Sequence, residues 1–365
     1  GGNLLNIIAA ILMFGIIVLV HEFGHFIAAK LNGIYVVEFS IGFGPRLLSF
    51  QKGETRYSLK IIPLGGSCLM LNEFDSAEEA GVLPEGMTKE EADERGFINK
   101  SVWARIVTVA AGPVFNFLLA FLCALIVVGR VGYMSPQVIQ VESGSPAWEA
   151  GIREGDRITR INGKEVEDYR DIELERFVKP GQTMTLQWSR LTENGDEVYS
   201  AEVTPEYSAE SGSYLLGVYF PGYVPADGIG EILKYSVYNV KYQIKAAILS
   251  LGMLVQGQVS ADNVSGPVKI VSVLSNTVGE ARQYGFEVVM LNLMNLCIII
   301  SANLAVINLL PIPGLDGGRL LFLIIEALRR KPLDQEKEGM IHAAGLALLM
   351  VFMVFILFND IQSLL

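Results

Sequence analysis

The sequence predicts a polytopic α-helical membrane protein: four transmembrane helices, a membrane-associated β-hairpin or small sheet, and one β-rich α+β domain outside the membrane. Three observations predict it. Long apolar blocks stand apart in a chain that is 51% hydrophobic, and a span needs about 20 mostly apolar residues. Two stretches around Lys52-Gly53, "FSIGFGPRLLSF" and "TRYSLKIIPLGGSCLM", alternate apolar with polar or Gly residues, the pattern of paired strands. Residues 135–205 change to a soluble pattern of short strands and tight turns.

Taken in order, residues 3–31 form the first span. They lack a basic leader and a small-residue cleavage site, so they are expected to stay as a helix and not to be removed as a signal peptide. Residues 34–72 hold the Gly-rich hairpin. Residues 73–100 read as an acidic, solvated loop, with Gly and Pro punctuating Glu73 to Glu94. The second span covers 101–132. In 135–205, Ile158 and Ile161 fit a short strand and Asn162-Gly163 is the favoured tight-turn pair. Residues 206–262 contain a linker strand and an amphipathic helix carrying Lys234, Tyr235, Tyr238, Lys241, Tyr242 and Lys245. Its most apolar part, Ala246 to Val255, is too short to span, so an interfacial helix is expected. The third span is 284–312, a Pro/Gly-rich motif and loop follow over 313–338, and the fourth span is 339–360.

The formal charge of −11 argues against nucleic acid as a partner. The cysteines Cys68, Cys123 and Cys297 have no metal-type spacing and are assigned to packing. Lys30, Arg46, Lys52, Arg56 and Lys60 follow the first span, and Arg329, Arg330 and Lys331 follow the third. Those regions are therefore expected on the cytoplasmic side, with both termini and residues 135–205 outside.

The chemistry sits in "VLVHEFGHFIAAK". Ionisable side chains are costly within a span and mark function. His21 and His25 are four residues apart, on one helix face, so both can reach one metal ion; Glu22, one step round, can reach a water there. This H-E-x-x-H spacing is that of zinc peptidases, and the whole chain has only three histidines. A catalytic zinc usually takes three protein ligands and leaves a position open. His342 is one candidate for the third. Asp316 is the better one: no other acid lies between Glu287 and Glu326, and Pro311, Pro313, Gly314, Gly317 and Gly318 around it unwind the helix end. Such irregular backbone is tolerated at membrane depth only against protein or a polar cavity. The bland readings are a helix-capping aspartate and two satisfied core histidines.

Taken together, HEFGH in the first span, N-x-x-P-x-P-x-LDGG near the end, and "SPAWEAGIREGDRITRING" between them resemble the site-2 protease family. These are intramembrane zinc metalloproteases, here of the bacterial RseP type with a single PDZ domain, and the likeness extends through "VEFSIGFGP", "IPLGG" and "AAGPVFNFLLAF". The resemblance implies Zn²⁺ held by His21, His25 and Asp316, Glu22 as general base, and Asn308 acting on the substrate or the developing oxyanion. It also implies single-span membrane proteins as substrates, such as truncated anti-sigma factors or remnant signal peptides, with the protein seated in the bacterial cytoplasmic membrane among its lipids. An Asn in a span is more commonly helix–helix glue, and that is the default for Asn116. A helical substrate must be opened before it is cut, and adding it to a sheet edge is the general solution. Gly65, Gly66, Ser67, Cys68 and Leu69 are expected to supply that edge, although the glycines could simply make turns. The PDZ is expected to filter substrates by size, since no clear carboxylate-binding loop is visible for a tail receptor. Two departures from the family pattern are Ser67-Cys68-Leu69 after IPLGG, and Lys269 in "SGPVKIV" where Gly is usual. The alternative reading is a non-catalytic, PDZ-bearing membrane scaffold.

Overall fold

A computed structural model describes residues 2–72, 87–258 and 266–364; the first half of the acidic loop expected after the hairpin, residues 73–86, lies outside them. In chain order the helices are α1 (Gly2–Leu31), α2 (Lys89–Arg95), α3 (Val102–Val131), α4 (Pro146–Glu149), α5 (Arg170–Val178), α6 (Gly228–Val255), α7 (Pro267–Ala281), α8 (Phe286–Asn308), α9 (Asp316–Arg329) and α10 (Gln335–Leu364). Strands β1 (Val36–Lys52) and β2 (Thr55–Met70) follow α1. Helices α1, α3, α8 and α10 are long and apolar enough to cross a membrane, where spans were expected. Leu348, Val351, Val354 and Phe358 on α10 remain exposed, as lipid-facing side chains would.

The chain divides into two compact units: one up to Cys123 and from Val259 onward, the other from Ala124 to Gln258. In the first, β1 and β2 do more than form a simple hairpin. Phe39 pairs with both Tyr57 and Cys68, and Ser40 with both Ser58 and Ser67, while Arg46–Lys52 pairs with Thr55–Lys60. Two bent strands thus make four runs, ordered 46–52, 55–60, 36–41, 66–70, and Gly66–Met70 is an outer edge. The bends fall at glycines with φ of 86° (Gly42), 90° (Gly44) and 97° (Gly65), a region other residues avoid. The sheet packs on α1, α3 and α9 through Phe26, Ala29, Val36, Phe39, Cys68, Val109 and Leu323.

Three helices in this unit were not expected: α2 falls in the stretch read as an acidic loop, where Thr88 and Glu91 cap each other's backbone N–H groups, and α7 and α9 follow later in the chain. Helix α7 packs Leu274 against Ala10, Met13 and Ile17 of α1 and Cys297 of α8. Its start is held by Asp360 of α10, which accepts from the backbone N–H of Gly266 (3.1 Å) and Lys269 (3.0 Å). At Lys269 this contact is made by the backbone N–H and not by the side chain. Helix α9 occupies much of the stretch expected to be loop, 313–338, because Leu320, Leu323 and Ile324 recur at helical spacing beyond the Gly pair.

In the second unit a four-run antiparallel sheet closes over Ile158, Ile161, Met184, Leu186 and Trp188. The expected succession is present: short helix α4, strand Arg157–Ile161, a tight turn with positive φ at Asn162 and Gly163, strand Lys164–Glu165, then α5. Asp156, fully buried, accepts from Arg190 Nε at 2.7 Å and from the backbone N–H of Arg153 at 2.8 Å. The amphipathic segment is one continuous helix, α6, tied to α5 by Lys245–Asp171 at 2.6 Å.

Candidate metal centre

His21 and His25 leave α1 one turn apart, and their Nε2 atoms stand 3.2 Å from each other. Asp316, the first residue of α9, brings Oδ2 to 3.1 Å from His21 Nε2 and 3.5 Å from His25 Nε2. One ligand atom from each of the three lies within 4.8 Å of the others. Both histidines are buried. The structure therefore brings together the residues that spacing and elimination selected, and leaves His342 apart from them.

Missing side chains make this convergence possible. A Cβ at Gly24 would lie 2.4 Å from the Ala111 carbonyl oxygen, so α1 and α3 meet backbone to backbone. At Gly112 a Cβ would lie 2.3 Å from His25 Nε2 and 2.9 Å from His21 Cε1; the space the imidazoles occupy exists because α3 has no side chain there. A Cβ at Gly317 would reach 2.2 Å from the Leu310 carbonyl oxygen, so the break after α8 folds back over the first turn of α9. His342 has a different job from the one sequence reasoning weighed. Its Nδ1 accepts from the Gly314 N–H at 3.1 Å, and its ring meets Phe322 edge-on. Gly345, one turn along α10, lets the Pro313 carbonyl approach. The loop that presents Asp316 is thus held from α10.

The ring nitrogens facing away from the cluster are also engaged. His25 Nδ1–H donates to the Thr108 carbonyl at 2.9 Å, which leaves Nε2 as an acceptor aimed at the cluster. His21 Nδ1 lies 3.2 Å from the Asn116 amide, and Ser301 Oγ donates to the Asn116 carbonyl at 2.9 Å. Among the described residues, Asn116 Oδ1 and Asp316 Oδ2 are buried without a hydrogen-bond donor. Turning the Asn116 amide places Oδ1 on His21 Nδ1–H and frees His21 Nε2 as a second acceptor. Two imidazole acceptors and a carboxylate oxygen facing each other at these distances call for a cation between them, and one oxygen with two nitrogens is a donor set for zinc. Packing was the expectation for Asn116. The signal that could have found it was a polar side chain in an apolar span beside Gly112-Pro113.

Glu22 Oε2 accepts from the Cys68 N–H at 3.0 Å, which joins the acid to the outer run of the sheet. Gly66 is required there, since a Cβ would stand 2.9 Å from the Ser40 carbonyl oxygen and 3.2 Å from Glu22 Cγ. Ser67 Oγ lies 2.8 Å from Ser40 Oγ, Cys68 is buried, and Leu69 is exposed. Asn308 ends α8, half-buried, and among the described residues no hydrogen bond joins it to His21, Glu22, His25 or Asp316.

Comparison with known proteins places these features in a family. The model for peptidase family M50 matches residues 9–352. A Clostridium acetobutylicum protein is 36% identical over 98% of this chain and 97% of its own. The zinc metalloprotease RasP of Geobacillus kaustophilus is 34% identical, with 98% of each chain covered. The regulator of sigma-W protease RasP of Bacillus subtilis is 32% identical over 98% of this chain and 99% of its own. Among solved structures, the PDZ domain of an SdrC-like protein from Listeria monocytogenes covers 25% of this chain and 92% of its own, at 22% identity and a TM-score of 0.21.

Proposed function

Since this chain belongs to peptidase family M50 and is an intramembrane zinc metalloprotease, we propose that it cuts single-span membrane proteins within their spans, using His21, His25 and Asp316 to hold zinc and Glu22 as general base. The observation that carries this is the convergence of the three ligand atoms beside a carboxylate that touches an open sheet edge. When bound, zinc supplies a Lewis acid for the scissile carbonyl and makes water a better nucleophile. Glu22 takes the water's proton and passes it to the leaving amine. Asn116 and Thr108 keep the two imidazoles in the tautomer that offers Nε2 inward. Asn308 is proposed as a donor to the oxyanion, brought in when substrate enters the break after α8.

The run Gly65–Leu69 is proposed as the strand to which an unwound substrate is added. Its other face is already paired with Val36–Ile41, which supports an outward-facing edge. The PDZ reading of 135–205 as a size filter, the cytoplasmic placement of the HEFGH end and the bacterial cytoplasmic membrane as the site of action belong to the same proposal. The name of the Bacillus subtilis relative, a regulator of sigma-W protease, supports substrates within sigma-factor control.

Glu22→Gln tests the reading. Zinc content and thermal stability should match those of the parent, while cleavage of a single-span substrate in detergent falls by orders of magnitude. Substantial turnover by the variant would remove Glu22 from the role. A parent protein that binds no zinc would favour the scaffold reading.

A further inference from the structure

Helix α9 faces its surroundings in the opposite sense to a helix of a water-soluble protein. Glu326, in its last turn, points inward and forms a two-pronged ion pair with Arg105 of α3, both side chains 12% exposed. Leu321, Ile324 and Leu328 point out, at 41%, 47% and 80% exposure. With 3.6 residues per turn these three fall within about 60° of one another, so they form one apolar face. Leu323, on the opposite side, is buried in the core. An outward face of this kind fits hydrocarbon and not water.

The connections keep α9 at the membrane. Residues 309–315 and 330–334 join it to α8 and α10, both long and apolar enough to span. With 14 residues α9 is itself too short to cross, at about 21 Å against a core of about 30 Å. It runs from Asp316 to Arg329, Arg330 and Lys331, all three exposed. Among the described residues none of the three has an ion-pair partner. Arg330 sits at φ 54°, turning the chain sharply at that point. Trp103, 68% exposed, lies two residues before Arg105. An exposed tryptophan at the end of an apolar helix marks the headgroup level, and the Arg105–Glu326 pair carries that level to the last turn of α9.

We propose that the end of α9 is a binding surface for anionic phospholipid. Leu321, Ile324 and Leu328 lie against acyl chains, and Arg329, Arg330 and Lys331 hold the headgroup phosphate and its neighbours. Because Asp316 is the first residue of the same helix, lipid bound at one end steadies the carboxylate at the other. This consequence rests on Asp316 as a zinc ligand; the lipid surface itself does not.

The test uses the full chain and its R329Q/R330Q/K331Q variant, titrated with phosphatidylglycerol or phosphatidylcholine in mild detergent, with bound lipid counted by native mass spectrometry. The parent should prefer phosphatidylglycerol by on the order of tenfold or more, and the triple variant should lose that preference. The charge-conserving R329K/R330K variant should keep it, which separates lost charge from lost folding. A triple variant with the parent's preference, or a parent without one, would overturn the proposal. In nanodiscs, zinc release from the parent to a chelator should be several-fold slower in phosphatidylglycerol than in phosphatidylcholine, and equal in the triple variant. Equal release from the parent in both lipids would overturn the coupling. Glu22→Gln should leave the lipid preference unchanged, so the protease reading and the lipid surface fail separately.

Discussion

Adding one methyl group at Gly112 should cost the protein its metal. In Gly112→Ala the new Cβ would lie 2.3 Å from His25 Nε2 and 2.5 Å from His25 Cε1, about 1.1 Å inside the 3.4 Å at which ordinary contact begins. The His25 ring cannot simply swing aside, since its Nδ1 is fixed to the Thr108 carbonyl of the same helix. Either α3 moves away from α1 or the imidazole leaves its position. A metal–ligand distance tolerates only about 0.2 Å, so a shift near 1 Å forfeits the ligand. Stability should fall by the ordinary cost of overpacking, about 1–3 kcal/mol, whereas zinc affinity should fall by well over 100-fold. Chelator competition on the purified protein measures the affinity, and the visible spectrum of the cobalt-substituted protein reports whether two imidazoles still bind. Gly112→Ala with zinc affinity and cobalt spectrum like the parent's would refute the placement of the centre against α3.

Three further outcomes are expected. Replacing Ser67 or Leu69 by Pro removes one backbone donor from the outer run; at least one of the two should impair cleavage with zinc content unchanged, and full activity in both would remove the sheet edge from substrate binding. His342→Ala leaves the Gly314 N–H without its acceptor, a loss of about 1–3 kcal/mol; zinc should bind more weakly, and His342→Asn, whose Oδ1 falls near the position of Nδ1, should restore much of it. Rescue no better than alanine would count against that hydrogen bond. The Arg46 guanidinium holds the Glu38 carboxyl down, at about 2 in place of its usual 4.5. A depressed carboxyl stabilises the fold above pH about 4.5 and loses that contribution as the pH falls towards 2. Arg46→Gln should therefore loosen the sheet at pH 7, by at most about 1 kcal/mol because Arg46 is half exposed, and the difference should be clearly smaller at pH 3, where part of the contribution is already lost. Hydrogen exchange of the β1 and β2 amides at both pH values checks it; a difference unchanged at pH 3 would discard the ion pair as its source.

Much of this protein is written in short windows of its sequence. The spans follow from apolar length, the positions of His21, Glu22 and His25 from the 3.6-residue period, and the Asn162-Gly163 turn from two residues that accept positive φ. Asp316 could be selected because so few acids lie in the apolar regions. Other features have no local signal. Asn116 is separated from His21 by the whole sheet region, and an Asn in a span looks the same whether it joins two helices or holds an imidazole. Gly112 reads as any small helix residue until the rings are seen in the space it leaves. The double pairing of Val36–Ile41 depends on bends that bring two parts of β2 to one run, and alternation alone cannot tell that from a plain hairpin. Helix α9 lay hidden behind a Gly pair that reads as a loop, and its apolar face points outward because α3 supplies Arg105 to take the Glu326 carboxylate inside. Periodicity and turn preference act between neighbours along the chain, so a sequence displays them. Which faces meet, and which nitrogen of an imidazole is left free, depend on backbones that approach only where distant residues have no side chain, and that is decided in the tertiary structure.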